Sequence, residues 1–385
     1  MLTTIVIFLL ILGLLVFVHE CGHFFTARKL GVKCDEFGFG FPPRICGWKK
    51  VNGKRKFFWG SAQVESEDTI YSLNWIPMGG FVQIKGENGE GKADKDSFAH
   101  QKIWKRALIL SAGVTMNVVL CAVLMMFVFG IGAPQAIDEN GPIVDAKDLK
   151  IQIISVLENT PAAQMGLMMG DELLTLDGTK FDKITEVQDY LATKENQEVK
   201  IQYVRLGQTM EATTIPVVLS ETGRAGLGVG LTKTGIVSYP WYEAIWLGIK
   251  GTYLMFLQII IGFATLIKNA FIHKPLGVEV AGPVGIAVMT GQIARMGFVY
   301  ILQFTALLSL NLAIINFLPI PALDGGRVFF LIIEKIRGRA INEKVEQIIH
   351  TVGFALLMVL IVVVTASDIW GYRGWFVNIW QKIVN

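Results

Sequence analysis

The chain has 385 residues, 52% of them hydrophobic and only 17% charged, against roughly 25% charged in soluble domains. That composition excludes a disordered chain, a collagen-like chain and a simple cytosolic enzyme. The net charge of +3, with basic residues in short clusters such as Lys49-Lys50 and Lys54-Arg55-Lys56, gives no nucleic-acid footprint. Apolar residues concentrate at 4–18, 107–131, 253–267, 298–322 and 351–365, whereas 133–240 reads as an ordinary soluble module.

In chain order, the first apolar run has no basic residue before it and no Ala-x-Ala after it, so it reads as a span rather than a cleaved signal. Arg28 and Lys29 follow it, which puts the N-terminus outside by the positive-inside rule. Segment 26–106 carries 15 Lys/Arg and 9 Asp/Glu, and segment 133–240 carries 9 and 15, an asymmetry in the same sense. Arg327, Lys335, Arg337, Arg339 and Lys344 put the last internal loop on the cytoplasmic side. Four spans are expected, near 3–24, 107–131, 298–322 and 349–367, with both termini outside. A fifth at 253–267 would move Arg327 outside. That run is therefore expected to lie in the interface, behind Trp241, Tyr242 and Trp246. The four cysteines, Cys21, Cys34, Cys46 and Cys121, all precede residue 122, and Cys34 and Cys46 are too far apart for a Cys-x-x-Cys zinc site. They are read as bystanders.

The first span contains His19-Glu20-Cys21-Gly22-His23. Histidines at i and i+4 share a helix face and can grip one zinc ion, and the intervening Glu20 suits a general base for a zinc-bound water. Ionisable groups inside a bilayer are costly and usually face a functional cavity, and two of the chain's five histidines fall in this window. The bland alternative ends the span near Phe17 and leaves these residues at the interface. A hydrolytic zinc takes three protein ligands and keeps one open position, so a third must come from elsewhere at the same depth. Asp324 is the acidic residue at the end of another apolar span. His19 lies ~24 Å into a helix entering from outside, and the prolines before Asp324 shorten its descent. Both then reach the inner third of a ~30 Å core.

The pairing of His19-Glu20-x-x-His23 with Asn316-x-x-Pro319-x-Pro321-x-x-Asp324-Gly325 resembles the site-2 protease family, within it the bacterial regulator of sigma-E protease group. The likeness continues through Glu36–Pro42, Pro77-Met78-Gly79-Gly80-Phe81-Val82, Ala112–Asn117 and Gly282–Ile286, although the group's Gly-Pro is Gly113-Val114 here. It implies a zinc intramembrane protease of the bacterial inner membrane that cuts single-pass membrane proteins, such as anti-sigma factors or signal-peptide remnants. It further implies a membrane-re-entrant β element that offers Gly79, Gly80, Phe81 and Val82 to substrate, with Asn316 holding substrate backbone.

Between the spans, Thr160-Pro161-Ala162-Ala163 and Gly166–Gly178 bracket short apolar runs, so strands are expected with a short helix near 184–193. The pattern resembles one permuted bacterial PDZ domain. Gly226-Leu227-Gly228-Val229 is either its carboxylate-binding loop or a glycine-rich turn. PDZ domains bind extended peptides by strand addition, and such a module could gate substrate entry. The chain is thus expected to comprise a first helix (1–30), a cytoplasmic-side β region (31–106), a second helix (107–132), a PDZ domain (140–233), a membrane-associated stretch (234–297), a third helix with its motif (298–326) and a fourth (349–367). Two rivals come from other classes. A non-catalytic PDZ adaptor would need a closed, four-ligand structural metal site, and a zinc transporter commonly shows internal repeats. The chain shows three plausible ligands and no repeat.

Overall fold

The computed structural model describes residues 2–51, 54–60, 68–87, 89, 91–137, 146–157, 159–205, 207–219, 223–272, 282–339 and 341–371. The chain forms two compact units, one of residues 1–125, 249–294 and 301–385, the other of residues 126–248 and 295–300.

The first unit opens with α1 (Leu2–Lys29), which carries no charge before Glu20 and ends on Arg28 and Lys29. Its 28 residues extend about 42 Å at 1.5 Å per residue, enough to cross a ~30 Å core with a turn or two outside. Three strands follow, β1 (Cys34–Val51), β2 (Lys54–Trp59) and β3 (Ile70–Ile84), paired antiparallel in the order β2-β1-β3. β3 pairs with β1 twice. Glu36 lies opposite both Gln83 and Ile70, and Phe37 opposite both Val82 and Tyr71. The run Gly80–Ile84 is therefore an outer edge of the sheet. Trp48, Phe57, Trp59 and Trp75 are exposed on this sheet, as expected of a β element that meets lipid headgroups.

α2 (Ile103–Ile131) runs antiparallel to α1, since His23 bonds to Ile109 and His19 to Asn117. The two helices touch closely at Gly22, where a Cβ would lie 2.4 Å from the Ala112 carbonyl oxygen.

The second unit holds a six-stranded antiparallel sheet. Its strands are β4 (Ala133–Ala136), β5 (Lys147–Val156), β6 (Glu172–Leu176), β7 (Val199–Arg205), β8 (Gln208–Thr214) and, at its far end in sequence, β11 (Val229–Val237). They are ordered β4-β11-β5-β6-β7-β8. A separate two-stranded ribbon pairs β9 (Val217–Val218) with β10 (Ala225–Gly226). The helices are α3 (Pro161–Gln164), capped by Thr160, and α4 (Ile184–Thr193), the latter on the residues expected. Alternate residues of β7, Val199, Ile201 and Tyr203, face a core with Leu176, Val187 and Leu191, following the period of two that a half-buried strand imposes. The module thus begins at 133 and ends at 237, wider than 140–233. Within these bounds residues 138–145, 158, 206 and 220–222 lie outside those described. Gly226 ends β10 and Val229 opens β11, and the Leu227 and Gly228 carbonyls between them accept from the Ala162 and Leu157 amides.

Asp171 is buried in this module. Its carboxylate accepts from Arg205 Nε at 2.8 Å and Nη2 at 2.6 Å, and from the Met168 amide at 2.8 Å. The pairing pushes the Arg205 guanidinium further above its already high range. Asp171→Ala strands that cation, and should lower the unfolding free energy of the module by about 3–5 kcal/mol, read from its urea midpoint.

The first unit resumes at residue 249 within α5 (Trp241–Phe271) and, apart from residues 295–300, also holds α6 (Pro283–Met296), α7 (Phe298–Phe317), α8 (Asp324–Arg337) and α9 (Glu343–Gly371). α5 extends well beyond the apolar run at 253–267. It is long and apolar enough to cross a membrane, which brings the candidate spans among the described residues to five, with α1, α2, α7 and α9. Residues 273–281 of the stretch expected at 234–297 lie outside those described. On α5, Thr252 lies 3.6 Å from Cys121 of α2. On α6, a Cβ at Gly291 would lie 2.8 Å from the Thr4 side chain at the start of α1. The amides of Gly282 and Gly285 donate to the Asp368 carboxylate near the end of α9, which caps α6 from a neighbouring helix.

Candidate metal centre

The third expected span ends as a helix at Phe317, and Pro319 and Pro321 lie in the connection to α8. Pro321 precludes a helical bond from its own nitrogen, and the chain reverses sharply. Ala322 adopts a left-handed φ of 77°, and its amide donates to His350 Nδ1 on α9 at 2.9 Å. Gly325 and Gly326 permit the reversal. A Cβ on either would lie 2.3 Å from a carbonyl oxygen, that of Phe317 or Ile320 respectively. The turn delivers Asp324 as the first residue of α8, where the helix dipole favours a carboxylate.

Asp324 arrives against α1. Its Oδ2 lies 2.9 Å from His19 Nε2 and 3.3 Å from His23 Nε2, and the two imidazole nitrogens are 3.1 Å apart. Both histidines are buried. Candidate ligand atoms of the three residues all lie within 4.8 Å of one another, and this is the one such group among the described residues. Two imidazoles and a carboxylate are a donor set suited to zinc in a hydrolytic site, with a fourth position left open.

The surroundings hold these side chains in place. His23 Nδ1 lies 2.8 Å from the Ile109 carbonyl oxygen, so it donates there and leaves Nε2 free as a ligand atom. Gly113 of α2 faces the pair, and a Cβ there would lie 2.3 Å from His23 Nε2 and 2.7 Å from His19 Nε2. A bare Cα on that side leaves room beside the two Nε2 atoms.

Glu20 stands outside the group of His19, His23 and Asp324. Its Oε2 accepts from the Val82 amide at 3.0 Å, which ties it to the outer edge of β3. The glycines of β3 allow that approach. A Cβ on Gly79, whose φ is 121°, would lie 2.5 Å from Val16, and one on Gly80 would lie 3.3 Å from the Phe17 ring. Gly79–Val82 therefore lie beside α1 within a turn of His19. Asn316 sits half-buried in the last turn of α7 and makes none of the hydrogen bonds of the cluster. Past the strand, Lys85 pairs with Asp94 at 2.9 Å and Asp96 at 2.8 Å, and its ammonium holds the Asp96 carboxyl below the usual range.

A cavity of about 460 Å³ adjoins the Asp324 turn, lined by Glu87, Arg106, Ala322, Arg327, Glu334 and His350 among others. Arg327 pairs with Glu87, and Arg106 with Glu334 at 3.2 Å. Its charged lining suits water rather than lipid. Cys21, Cys34, Cys46 and Cys121 are free.

The sequence profile of peptidase family M50 matches residues 7–360. The chain belongs to that family. It is similar to a Clostridium perfringens protein named as a zinc metalloprotease, with 32% identity over 366 residues, 95% of this chain and 98% of that one. It is also similar to the regulator of sigma-W protease RasP of Bacillus subtilis, with 28% identity over 450 residues, 95% of this chain and 98% of that one. The PDZ domain of an SdrC-like protein from Listeria innocua shares 30% identity over 21% of this chain and 92% of its own, at a TM-score of 0.20. This M50 chain is a membrane metallopeptidase of the site-2 type, and zinc is its cofactor.

Three residues around the M50 site carry no role in the sequence reading: Gly113, Asn117 and His350. Asn117 alone left a usable signal, as an amide in the middle of an apolar run.

Proposed function

We propose that this chain hydrolyses peptide bonds within or beside the membrane-spanning segments of single-pass membrane proteins, with His19, His23 and Asp324 holding zinc and Glu20 as general base. One observation carries the reading. Two imidazoles from the first span and a carboxylate from the other end of the chain converge beside a separate carboxylate that is not needed as a ligand. Three protein donors fit a hydrolytic centre better than the closed, four-donor site of a structural metal, which argues against the adaptor.

Zinc held by these three residues would supply an activated water at neutral pH and a Lewis acid for the scissile carbonyl. Glu20 takes the proton of the attacking water and passes it to the leaving amine nitrogen. A helical substrate must first unwind, because its carbonyls are tied in i to i−4 bonds. The outer edge of β3, with Gly79, Gly80, Phe81 and Val82, receives the unwound segment by strand addition, and Asn316 holds substrate backbone.

The helix contacts support a four-crossing topology. α5 begins along α2, and α6 lies at the Thr4 end of α1, which fits a chain that returns to the same side between them. Both termini and the soluble module then lie outside, and the Asp324 cavity opens toward the cytoplasm of a bacterial inner membrane. Anti-sigma factors and signal-peptide remnants are the proposed substrates, the former supported by similarity to a regulator of sigma-W protease.

Asp324→Asn tests the ligand set. It should cut zinc retention at least as much as losing an outer-shell partner does, about 10–100-fold, measured as zinc per chain after dialysis against a chelator. Undiminished zinc would remove Asp324 from the set. The module we read as a PDZ domain that admits substrates already trimmed outside the membrane. Deleting 140–233 should let an intact substrate be cleaved, and unchanged selectivity for trimmed substrate would sink the gate.

A further inference from the structure

The geometry points to Asn117 as the positioning residue that decides which nitrogen of His19 faces the metal. This inference rests on the reading that His19 is a ligand. Asn117 is completely buried on α2, and its Nδ2 lies 3.3 Å from His19 Nδ1. Its Oδ1 has no hydrogen-bond partner among the described residues. The backbone there is held independently of the side chain, since the Asn117 carbonyl accepts from Ser309 Oγ on α7 at 2.8 Å.

A histidine that ligates through Nε2 carries its proton on Nδ1 and needs an acceptor facing that nitrogen. His23 has one in the Ile109 carbonyl. At His19 the corresponding neighbour is the Asn117 amide. With the amide in this orientation Nδ2 can only donate to Nδ1, which puts the proton of a neutral His19 on Nε2, 2.9 Å from Asp324 Oδ2 and 3.1 Å from His23 Nε2. Ligation requires the reverse arrangement. A half-turn of the amide about χ2 brings the unpartnered Oδ1 to face Nδ1, because the two ends of an amide are nearly the same size. Asn117 can serve either tautomer, and the amide half-turn and the His19 proton shift accompany one another. Leucine at this position could serve neither, and aspartate only the ligating one.

The test uses the full-length chain in detergent and measures zinc affinity by competition with a fluorescent chelator, with the visible spectrum of the cobalt-substituted protein as a second readout. Asn117→Leu and the smaller Asn117→Ala should bind zinc about 10–100-fold more weakly than the wild type, while Asn117→Asp stays within about threefold of it or binds more tightly. The cobalt bands should be altered in the first two and preserved in the third. A role in packing alone predicts the opposite order for aspartate, which buries a charge. The inference is overturned if Asn117→Ala and Asn117→Leu bind as wild type, or if Asn117→Asp is as weak as they are. Thermal unfolding in excess chelator shows which variants fold, and Asn117→Ala carries the comparison if leucine does not fit. His19→Ala is the control. If it retains zinc, the ligand reading itself has failed; if it loses zinc while every Asn117 variant keeps it, only this inference has.

Discussion

Glu20→Gln should lower turnover by about 10²–10⁴-fold, the usual contribution of a general base, and leave zinc content per chain unchanged. The amide has the shape of the carboxylate and still offers an oxygen to the Val82 amide, so the link between α1 and β3 survives. It cannot accept a proton from water. Because Glu20 lies outside the group formed by His19, His23 and Asp324, the metal should not notice the change. The measurement is cleavage of a model single-span substrate in proteoliposomes, alongside zinc per chain. A variant that still cleaves at the wild-type rate removes Glu20 from the chemistry. A variant that loses zinc makes it a ligand.

Gly113→Ala should be nearly as severe for a different reason. Alanine is the better helix former by about 1 kcal/mol, so α2 itself gains from the change. The added methyl would nevertheless stand 2.3 Å from His23 Nε2 and 2.7 Å from His19 Nε2, well inside van der Waals contact. The imidazoles must rotate or the helices must part, and helix separation is resisted by the close contact at Gly22. Zinc content should fall together with activity while the chain remains helical by circular dichroism. A variant with full zinc would show that the methyl points into slack.

The motif His19-Glu20-x-x-His23 was legible because helical periodicity alone puts both imidazoles on one face, and Asp324 because an acidic residue at the end of an apolar run is rare enough to stand out. The helix at 184–193 followed from local pattern in the same way. Gly113 and Asn117 were not legible as parts of the site. The amide of Asn117 stands out in its apolar run, but which way it and Gly113 face depends on how α2 crosses α1, a tertiary fact that the run itself does not carry. The double pairing of β3 was hidden because its register depends on where β1 bends. The extent of α5 was not legible from the apolar run at 253–267, because Glu243 and Lys250 interrupt the run upstream while helical bonding continues through them.

The turn that carries Asp324 does not stand by itself. Ala322 is held in a left-handed conformation with its amide on His350, and Pro321 rests where a Cβ on Gly353 would lie 2.4 Å away. Both supports belong to α9, which donates no atom to the metal group. The last helix therefore acts as a buttress for chemistry assembled elsewhere. Synthesis from the N-terminus delivers two imidazoles first, the carboxylate some 300 residues later, and the buttress last. On this arrangement the nascent chain would remain an incomplete peptidase until its final span is in place.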